Sequence, residues 1–213
     1  MKKILLALVL GCCSLGSSSA ASAQTLGKKL DVVFSGDRLF GVTFSREATE
    51  RIGQRDTILD TSRVSFGWGG RSVLSPYEIP RAALDVFVAE QLSIGGSLGF
   101  ASVSYDRDDG KERADYDSFI FAPRVGYIWG LSDVFSFWLR GGISYHSNTG
   151  GHENGLGLTV EPTFVLMPAE HFGIVFGPTL DLDFVGGVDD GRDRVDRHYR
   201  TLGLLQVGIL GWL

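Results

Sequence analysis

A set of charged residues falls on one face of consecutive predicted strands, where the side chains would meet across a shared interior. Successive side chains of a strand point to opposite sides, so every second residue lies on the same face. Buried charges are stable only when they are paired and hydrogen-bonded. The sequence therefore predicts a network of ion pairs, whose members are Asp85, Arg124, Arg140, Glu161, Asp181, Asp183 and Arg200.

One part of this region could instead support nucleophilic catalysis. His146 is preceded by Ser144 and followed by Ser147, and Glu161 lies on the next predicted strand. A histidine base must reach the proton of its nucleophile within hydrogen-bond distance, with a third group orienting it. Ser144 shares the face of His146, whereas Ser147 points to the opposite face of a regular strand. A triad with Ser147 therefore requires a bulge.

The segment 145–150, Tyr-His-Ser-Asn-Thr-Gly, resembles the motif of small outer-membrane lipid A deacylases. In that family the serine stands two residues beyond the histidine and is followed by asparagine. The resemblance implies a hydrolase that removes an acyl chain, with His146, a serine and Glu161 as its triad. Here the serine is adjacent to the histidine, and the face assignment puts His146 inside whereas the family's catalytic residues face lipid.

The predicted strands each have one apolar and one polar face. In 135–147, for example, the apolar face consists of Phe135, Phe137, Leu139, Ile143 and Tyr145, and the polar face of Ser136, Arg140, Gly142, Ser144 and His146. Strict alternation of this kind is typical of strands. Because the polar faces are rich in glycine and charge, the pattern favours a membrane barrel with its apolar face toward lipid over a soluble sandwich.

Nine strands are predicted, at 30–46, 58–71, 80–90, 93–105, 116–130, 134–147, 155–167, 171–186 and 197–213. Bacterial single-chain barrels have even strand numbers. Either Gly36-Asp37 divides the first run, which gives ten strands, or that run lies outside the wall, which gives eight. Short connections at 91–92, 131–133 and 168–170 alternate with long polar ones at 106–115, 148–154 and 187–196, as in barrels with short periplasmic turns and longer outer loops.

The N-terminus has the features of an export signal over residues 1–23. Lys2 and Lys3 are followed by an apolar stretch and by the small-residue cleavage site Ala21-Ser22-Ala23. Residues 24–213 then form one domain. Both cysteines lie in this signal, so the mature chain has no cysteine-based metal site or disulfide. An alternative is lipoprotein processing at Cys12, after Val9-Leu10-Gly11.

The charge of the chain is negative. The formal net charge is −5, and loss of Lys2 and Lys3 with the signal makes it −7. This balance argues against nucleic acid as a partner. Acidic residues concentrate in 106–117 and 189–196, mixed with basic residues and glycine, which favours solvated loops over a cation site. No metal-ligand or cofactor motif is evident, so no metal and no cofactor is predicted.

The C-terminus resembles the assembly signal of bacterial outer-membrane barrels, with Gln206, Gly208 and Leu213 at matching positions. Gly211 replaces a hydrophobic residue, and the last residue is leucine instead of phenylalanine. The resemblance implies an all-β, closed, antiparallel up-and-down transmembrane barrel of eight to ten strands in the outer membrane. Its partners would be outer-membrane lipids and the barrel assembly machinery, and it would be a monomer.

The sequence predicts a non-enzymatic barrel with a structural or surface-interaction role. A barrel this narrow is filled by its own side chains, so the charged network is expected to plug it. A narrow passive pore and the lipid A deacylase are the alternatives.

Overall fold

The structure is a computed structural model that describes residues 26–50, 57–66, 75–105, 114–148, 153–189 and 194–213. The predicted signal peptide, residues 1–23 with Cys12, lies outside these ranges. Alternating apolar and polar residues form nine strands, as predicted to within a few residues at each end. They are β1 Val32–Glu50, β2 Thr57–Phe66, β3 Arg81–Ala89, β4 Leu92–Tyr105, β5 Ala114–Ser132, β6 Phe135–Asn148, β7 Glu153–Ala169, β8 Phe172–Asp189 and β9 Arg194–Trp212.

The strands form a closed antiparallel ring. Each strand from β3 to β9 pairs with its neighbour in the sequence, and β9 returns to pair with β1 along almost its whole length. The fold is therefore the up-and-down barrel that the sequence predicts. A closed ring satisfies the backbone groups that an open edge would leave unpaired in hydrocarbon.

The ring has eight positions, although there are nine strands. β2 pairs with β1 residues 40–49, and β3 pairs with β1 residues 32–37 on the same side. β2 and β3 therefore share one position in the wall, which neither alternative from the sequence foresaw. Within the described residues, the ladder between β3 and β4 ends at Arg81 and Gly99, and no ladder joins β2 to β4.

Residues 75–80, the described part of the connection between β2 and β3, lie inside the barrel. This part contains a 3-10 helix, Pro76–Glu78, which Ser75 caps by accepting a hydrogen bond from the backbone N–H of Tyr77. Tyr77 is 1% exposed. The helix is thus an internal element, placed in the lumen by the same connection that divides β2 from β3.

The connections differ in length at the two ends of the barrel. The β3–β4, β5–β6 and β7–β8 connections have two residues each, and Gln91 and His171 in two of them have φ near 60°. The strand ends at the opposite end of the barrel are separated by longer stretches of sequence, 51–56, 106–113, 149–152 and 190–193. This asymmetry agrees with the prediction. No helix in the described residues has the length and apolar character needed to cross a membrane.

The two faces of the wall have opposite polarity. On β6, the side chains of Arg140, Ser144 and His146 are buried inside, whereas Ile143 and Tyr145 are exposed outside. The same alternation runs along β7, where Thr159 and Glu161 are buried and Leu156 and Leu158 are exposed. The predicted assignment of faces on these strands is correct.

The C-terminal strand closes the ring through the residues of the predicted assembly signal. Gln206 lies inside and its amide donates to Thr43 Oγ1 at 3.0 Å. Gly208 is buried opposite β1, and Leu213 is 77% exposed at the end of the chain. The backbone of Leu213 exchanges hydrogen bonds with Val32 at 3.1 and 3.3 Å, so the last residue still contributes to closure. Its role in assembly remains a prediction.

Candidate functional site

A bulge in β1 brings Asp37 and Arg38 into the lumen. Residues 37–39 of β1 stand opposite a single residue of β9, Gly208. Arg38 has φ 59°, in the left-handed region. A Cβ at Gly208 would lie 2.4 Å from the carbonyl oxygen of Gly36, so only glycine allows this approach. Bulges change the direction of side chains in this way. This bulge adds the carboxylate of Asp37 and the guanidinium of Arg38 to the interior.

Arg124 pairs with three carboxylates in the lumen. Its Nε and Nη2 donate to the two carboxylate oxygens of Asp85 at 3.0 and 2.5 Å. Its Nη1 donates to Asp37 at 2.6 Å and to Glu161 at 3.1 Å. The planar guanidinium fork matches a carboxylate in this two-point geometry. Arg124 therefore connects carboxylates from three different strands.

Two further arginines complete the network. Arg140 lies 3.2 Å from Glu161 and 3.3 Å from Asp37. Arg38 donates to both oxygens of Asp181 at 2.7 and 3.0 Å and to Glu161 at 2.9 Å. Glu161 thus accepts from Arg38 and Arg124 and also pairs with Arg140, which accounts for its charge in a position that is 2% exposed.

Arg81 is the exception within the network. Its nearest charged partner is Asp181, at 3.7 Å from Nη2. That same oxygen of Asp181 already accepts hydrogen bonds from Arg38 and Thr159, at 3.0 and 2.8 Å. None of the side-chain nitrogens of Arg81 has a hydrogen-bond partner in the described ranges. Arg81 contributes charge to the network without the donor contacts that the other arginines make.

The network is balanced in charge, with four guanidinium groups and four carboxylates that are each at most 6% exposed. The structure brings together the predicted residues Asp85, Arg124, Arg140, Glu161 and Asp181. It adds three that were not predicted: Asp37, Arg38 and Arg81.

Apolar side chains fill the lumen below the network, at the end with the short turns. Phe87 and Trp138 stack with ring centroids 5.7 Å apart, and Trp138 Nε1 donates to Ser93 Oγ at 3.3 Å. The guanidinium of Arg140 lies 4.8 Å from the centre of the Trp138 ring, within cation–π range. The layer consists of Leu26, Val33, Phe87, Ile128, Trp138, Val165, Met167, Val175, Leu210 and Trp212.

A polar cluster centred on Asp183 lies above the network. Tyr77 in the internal 3-10 helix donates from its hydroxyl to Asp183 in a short hydrogen bond, and its hydroxyl lies 3.2 Å from Ser144 Oγ. His146 Nε2 is 3.2 Å from the other oxygen of Asp183, which also accepts from the backbone N–H of Tyr199 at 2.9 Å. Asp183 is thus inside, as predicted, but its described contacts are in this cluster.

The residues of the alternative catalytic site are divided between two layers. Ser144 and His146 lie together on the inner face of β6, and both are at most 1% exposed. Ser147 is on the opposite face, and no bulge reverses it. Glu161 is among the arginines, so the carboxylate that contacts His146 is Asp183. Within the described residues, the hydrogen-bond partner of Ser144 is Tyr77, which leaves the nucleophile without its base.

The prediction that Arg200 faces the lumen is wrong. Leu204 and Leu205 are both exposed and form a bulge in the pairing with β8, where two residues of β9 stand opposite one residue. Gln206 and Gly203, on either side of this bulge, therefore both lie on the inner face. The extra residue reverses the alternation for the rest of the strand. Arg200 is consequently exposed, and Tyr199 is buried in its place.

The described residues contain no group of three or more His, Cys, Asp or Glu side chains that could hold a metal ion. The carboxylates of the network are already paired with arginines. The arginines and carboxylates of the network thus neutralise one another.

No family model matches the chain, and no curated protein matches it. Among solved structures, it is similar to the crystal structure of the outer membrane protein OprG from Pseudomonas aeruginosa, with a TM-score of 0.51 and 11% sequence identity. That match covers 86% of this chain and 97% of OprG.

A second match is Ail, the attachment invasion locus protein of Yersinia pestis, with a TM-score of 0.38 and 9% identity over 85% of this chain and 99% of Ail. For the complex of Ail with the heparin analogue sucrose octasulfate, the TM-score is 0.40 and the sequence identity 10%, with the same coverage of the two chains. The likeness to OprG agrees with the ring of strands and with its apolar outer face. The chain therefore has the fold of a small bacterial outer-membrane β-barrel protein.

Proposed function

We propose that this protein is a non-enzymatic barrel of the outer membrane, with a structural or surface-interaction role and a lumen plugged by its charged network. The observation that carries the proposal is the inverted polarity of the wall. Large apolar side chains such as Phe100, Val125 and Ile143 are 60%, 58% and 54% exposed outside, while arginines and carboxylates are buried inside. An apolar surface of this extent requires lipid around it.

The plug is supported by the layers that fill the lumen one above the other. The apolar layer lies at the short-turn end, the network of arginines and carboxylates above it, and the Asp183 cluster above that. Beside Arg38, Arg140 and Glu161 there is a cavity of about 10 Å³, which is the volume needed for a single water. A steady ion current needs a continuous water-filled path, and filled layers of this kind are expected to interrupt it.

The expected partners are outer-membrane lipids around the apolar band and, during folding, the barrel assembly machinery acting on the C-terminal strand. The protein is expected to act as a monomer, because the ring closes within one chain through β1 and β9. The longer connections would then face the outside medium.

Fractionation tests the membrane placement. The mature protein should remain with outer membranes after carbonate extraction, and it should migrate differently on a gel before and after heating. Recovery as a soluble periplasmic monomer would contradict the proposal. Export followed by recovery with a lipid on Cys12 would change the anchoring but not the barrel.

A second candidate function is lipid A deacylation. The contact between His146 and Asp183 favours it, because an aspartate that orients a histidine is part of a hydrolytic triad. Mass spectrometry of lipid A after incubation with the purified protein tests it. The proposed function predicts unchanged acylation. If the protein removes one acyl chain and the His146→Ala variant does not, the hydrolase function is established instead.

A further inference from the structure

One row of the upper lumen carries side-chain polar atoms that the described part of the chain leaves without a hydrogen bond. Ser118 of β5 pairs with Asn148 of β6, and Asn148 pairs with Glu153 of β7, so the three residues stand side by side on neighbouring strands. All three face inward and are at most 2% exposed. Among the described residues, Ser118 Oγ, both amide atoms of Asn148 and Glu153 Oε1 have no hydrogen-bond partner.

The row differs from the ordinary interior of a protein. Buried polar groups are nearly always hydrogen-bonded, and each exception calls for a water, an ion or a functional role. Here the exceptions are adjacent. Residues directly opposite each other on paired strands have Cβ atoms about 4.5–5.5 Å apart, so oxygens on three neighbouring strands can converge on one small ligand.

The charge at this level favours a cation. The lumen side chains near the row include Glu47, Glu153, Asp183 and Arg197, which are three carboxylates and one guanidinium. Arg197 lies 3.2 Å from Glu47 and 3.3 Å from Glu153 Oε2, which leaves Glu153 Oε1 unpartnered. In contrast to the balanced network below, the described side chains at this level have an excess of negative charge.

We propose that Ser118 Oγ, Asn148 Oδ1 and Glu153 Oε1 bind a hard divalent cation of the calcium class at the mouth of the barrel. Carboxylate, amide and hydroxyl oxygens are the ligands that such cations prefer, and water completes the shell of six to eight oxygens. His146, two residues below Asn148, has an unpartnered Nδ1, which accepts a hydrogen bond from a water in that shell.

The position of the row fits a ligand taken from the medium. Asn148 is the last residue of β6 and Glu153 the first of β7. From Phe135 to Asn148 a tilted strand rises about 33 Å, which exceeds the apolar band of about 25 Å. The physiological meaning of the site rests on the proposed placement in the outer membrane. Its affinity, however, is measurable in detergent whether or not that placement is correct.

Terbium luminescence tests the site, because Tb³⁺ replaces Ca²⁺ and is sensitised by nearby tyrosines. The rings of Tyr77 and Tyr199 lie 5.5 and 5.8 Å from that of His146. The full-length mature protein, folded in detergent and freed of metal by EDTA, should give tyrosine-sensitised emission. Ca²⁺ should displace it with a dissociation constant on the order of 10⁻⁴ to 10⁻³ M, as in other extracellular sites.

Two variants and a control locate the cation. Asn148→Ala and Glu153→Gln should each weaken Ca²⁺ binding about tenfold or more, since each removes one of few ligands. Ser147→Ala, on the outer face of the same strand, should leave it unchanged. If Ca²⁺ binding survives both changes, the cation lies elsewhere, for instance in the acidic connections, and the proposal is overturned. Absence of binding, or competition by Zn²⁺ alone, also overturns it.

Discussion

The middle and the mouth of the lumen are both lined by buried polar residues, but the two regions differ in how far these residues are hydrogen-bonded within the chain. In the middle, Arg124 makes four hydrogen bonds to Asp37, Asp85 and Glu161, and the charges balance. At the mouth, the side-chain polar atoms of Ser118 and Asn148 have no hydrogen-bond partner within the described residues. Apart from Arg81, the charged groups of the first region pair with one another, whereas the second region has hydroxyl, amide and carboxylate atoms with no hydrogen-bond partner among the described residues.

Because of this difference, we expect the middle of the lumen to contribute stability and its mouth to bind a ligand. A buried ion pair is weak evidence of stabilisation in itself, but removal of one partner leaves the other charge unpaired and is costly. The middle should therefore be sensitive to substitution. The mouth should tolerate substitution, because its side chains make fewer bonds that can be lost.

The largest effect is expected for Arg124→Ala. It leaves Asp85 and Asp37 without their principal partner and should lower the free energy of unfolding by about 3–5 kcal/mol. Urea unfolding of the protein in detergent micelles measures this loss. Asn148→Ala at the mouth serves as the control and should change little. Equal losses for the two variants would remove the distinction between the regions.

A second effect concerns height on the outer face. Leu158 and Leu92 are similarly exposed, at 43% and 40%, but Leu158 is near mid-strand and Leu92 begins β4 at a short turn. Arginine on the lipid face costs about 2–4 kcal/mol at the midplane and about 0–1 kcal/mol near the interface. Unfolding in lipid vesicles should give a clearly lower free energy of unfolding for Leu158→Arg than for Leu92→Arg. The same loss at both positions would mean that no apolar slab surrounds the wall.

The smallest effect distinguishes two arginines of one network. Arg81 has no hydrogen bond to lose, and Asp181 keeps Arg38 when Arg81 is removed. Arg81→Met should therefore cost at most about 1 kcal/mol, because no hydrogen bond is lost and the substitution removes the desolvation penalty of a buried guanidinium. The free energies of unfolding of Arg81→Met and Arg124→Met, both measured in urea, supply the comparison. A cost as large as that of Arg124→Met would show that long-range charge, and not hydrogen bonding, holds the network.

The strands and most of the interior could be predicted because alternation has a period of two. Arg124, Arg140, Glu161 and Asp181 lie where uninterrupted alternation puts them. Arg81 has the same parity as Asp85 on β3, so the same reasoning extended by four residues would have found it.

What could not be predicted follows from interruptions of that period. The bulge at residues 37–39 turns both Asp37 and Arg38 inward, and the two consecutive leucines 204 and 205 reverse the face of Arg200. In each case the signal in the sequence is local: Gly36-Asp37-Arg38 inside an apolar run, and two adjacent apolar residues in an alternating strand. Tyr77 lies in a connection, where no periodicity indicates that a side chain enters the lumen.

The most direct test of a closed lumen is the electrical conductance of the folded protein in a planar lipid bilayer. Only protein that shows the heat-dependent shift in gel migration should be used, so that a silent recording reflects a folded barrel. The layers of apolar side chains, ion pairs and the Asp183 cluster predict no steady current above that of the protein-free membrane. Stable, ohmic current steps that scale with salt concentration would contradict the account, because they require a continuous aqueous path through the lumen.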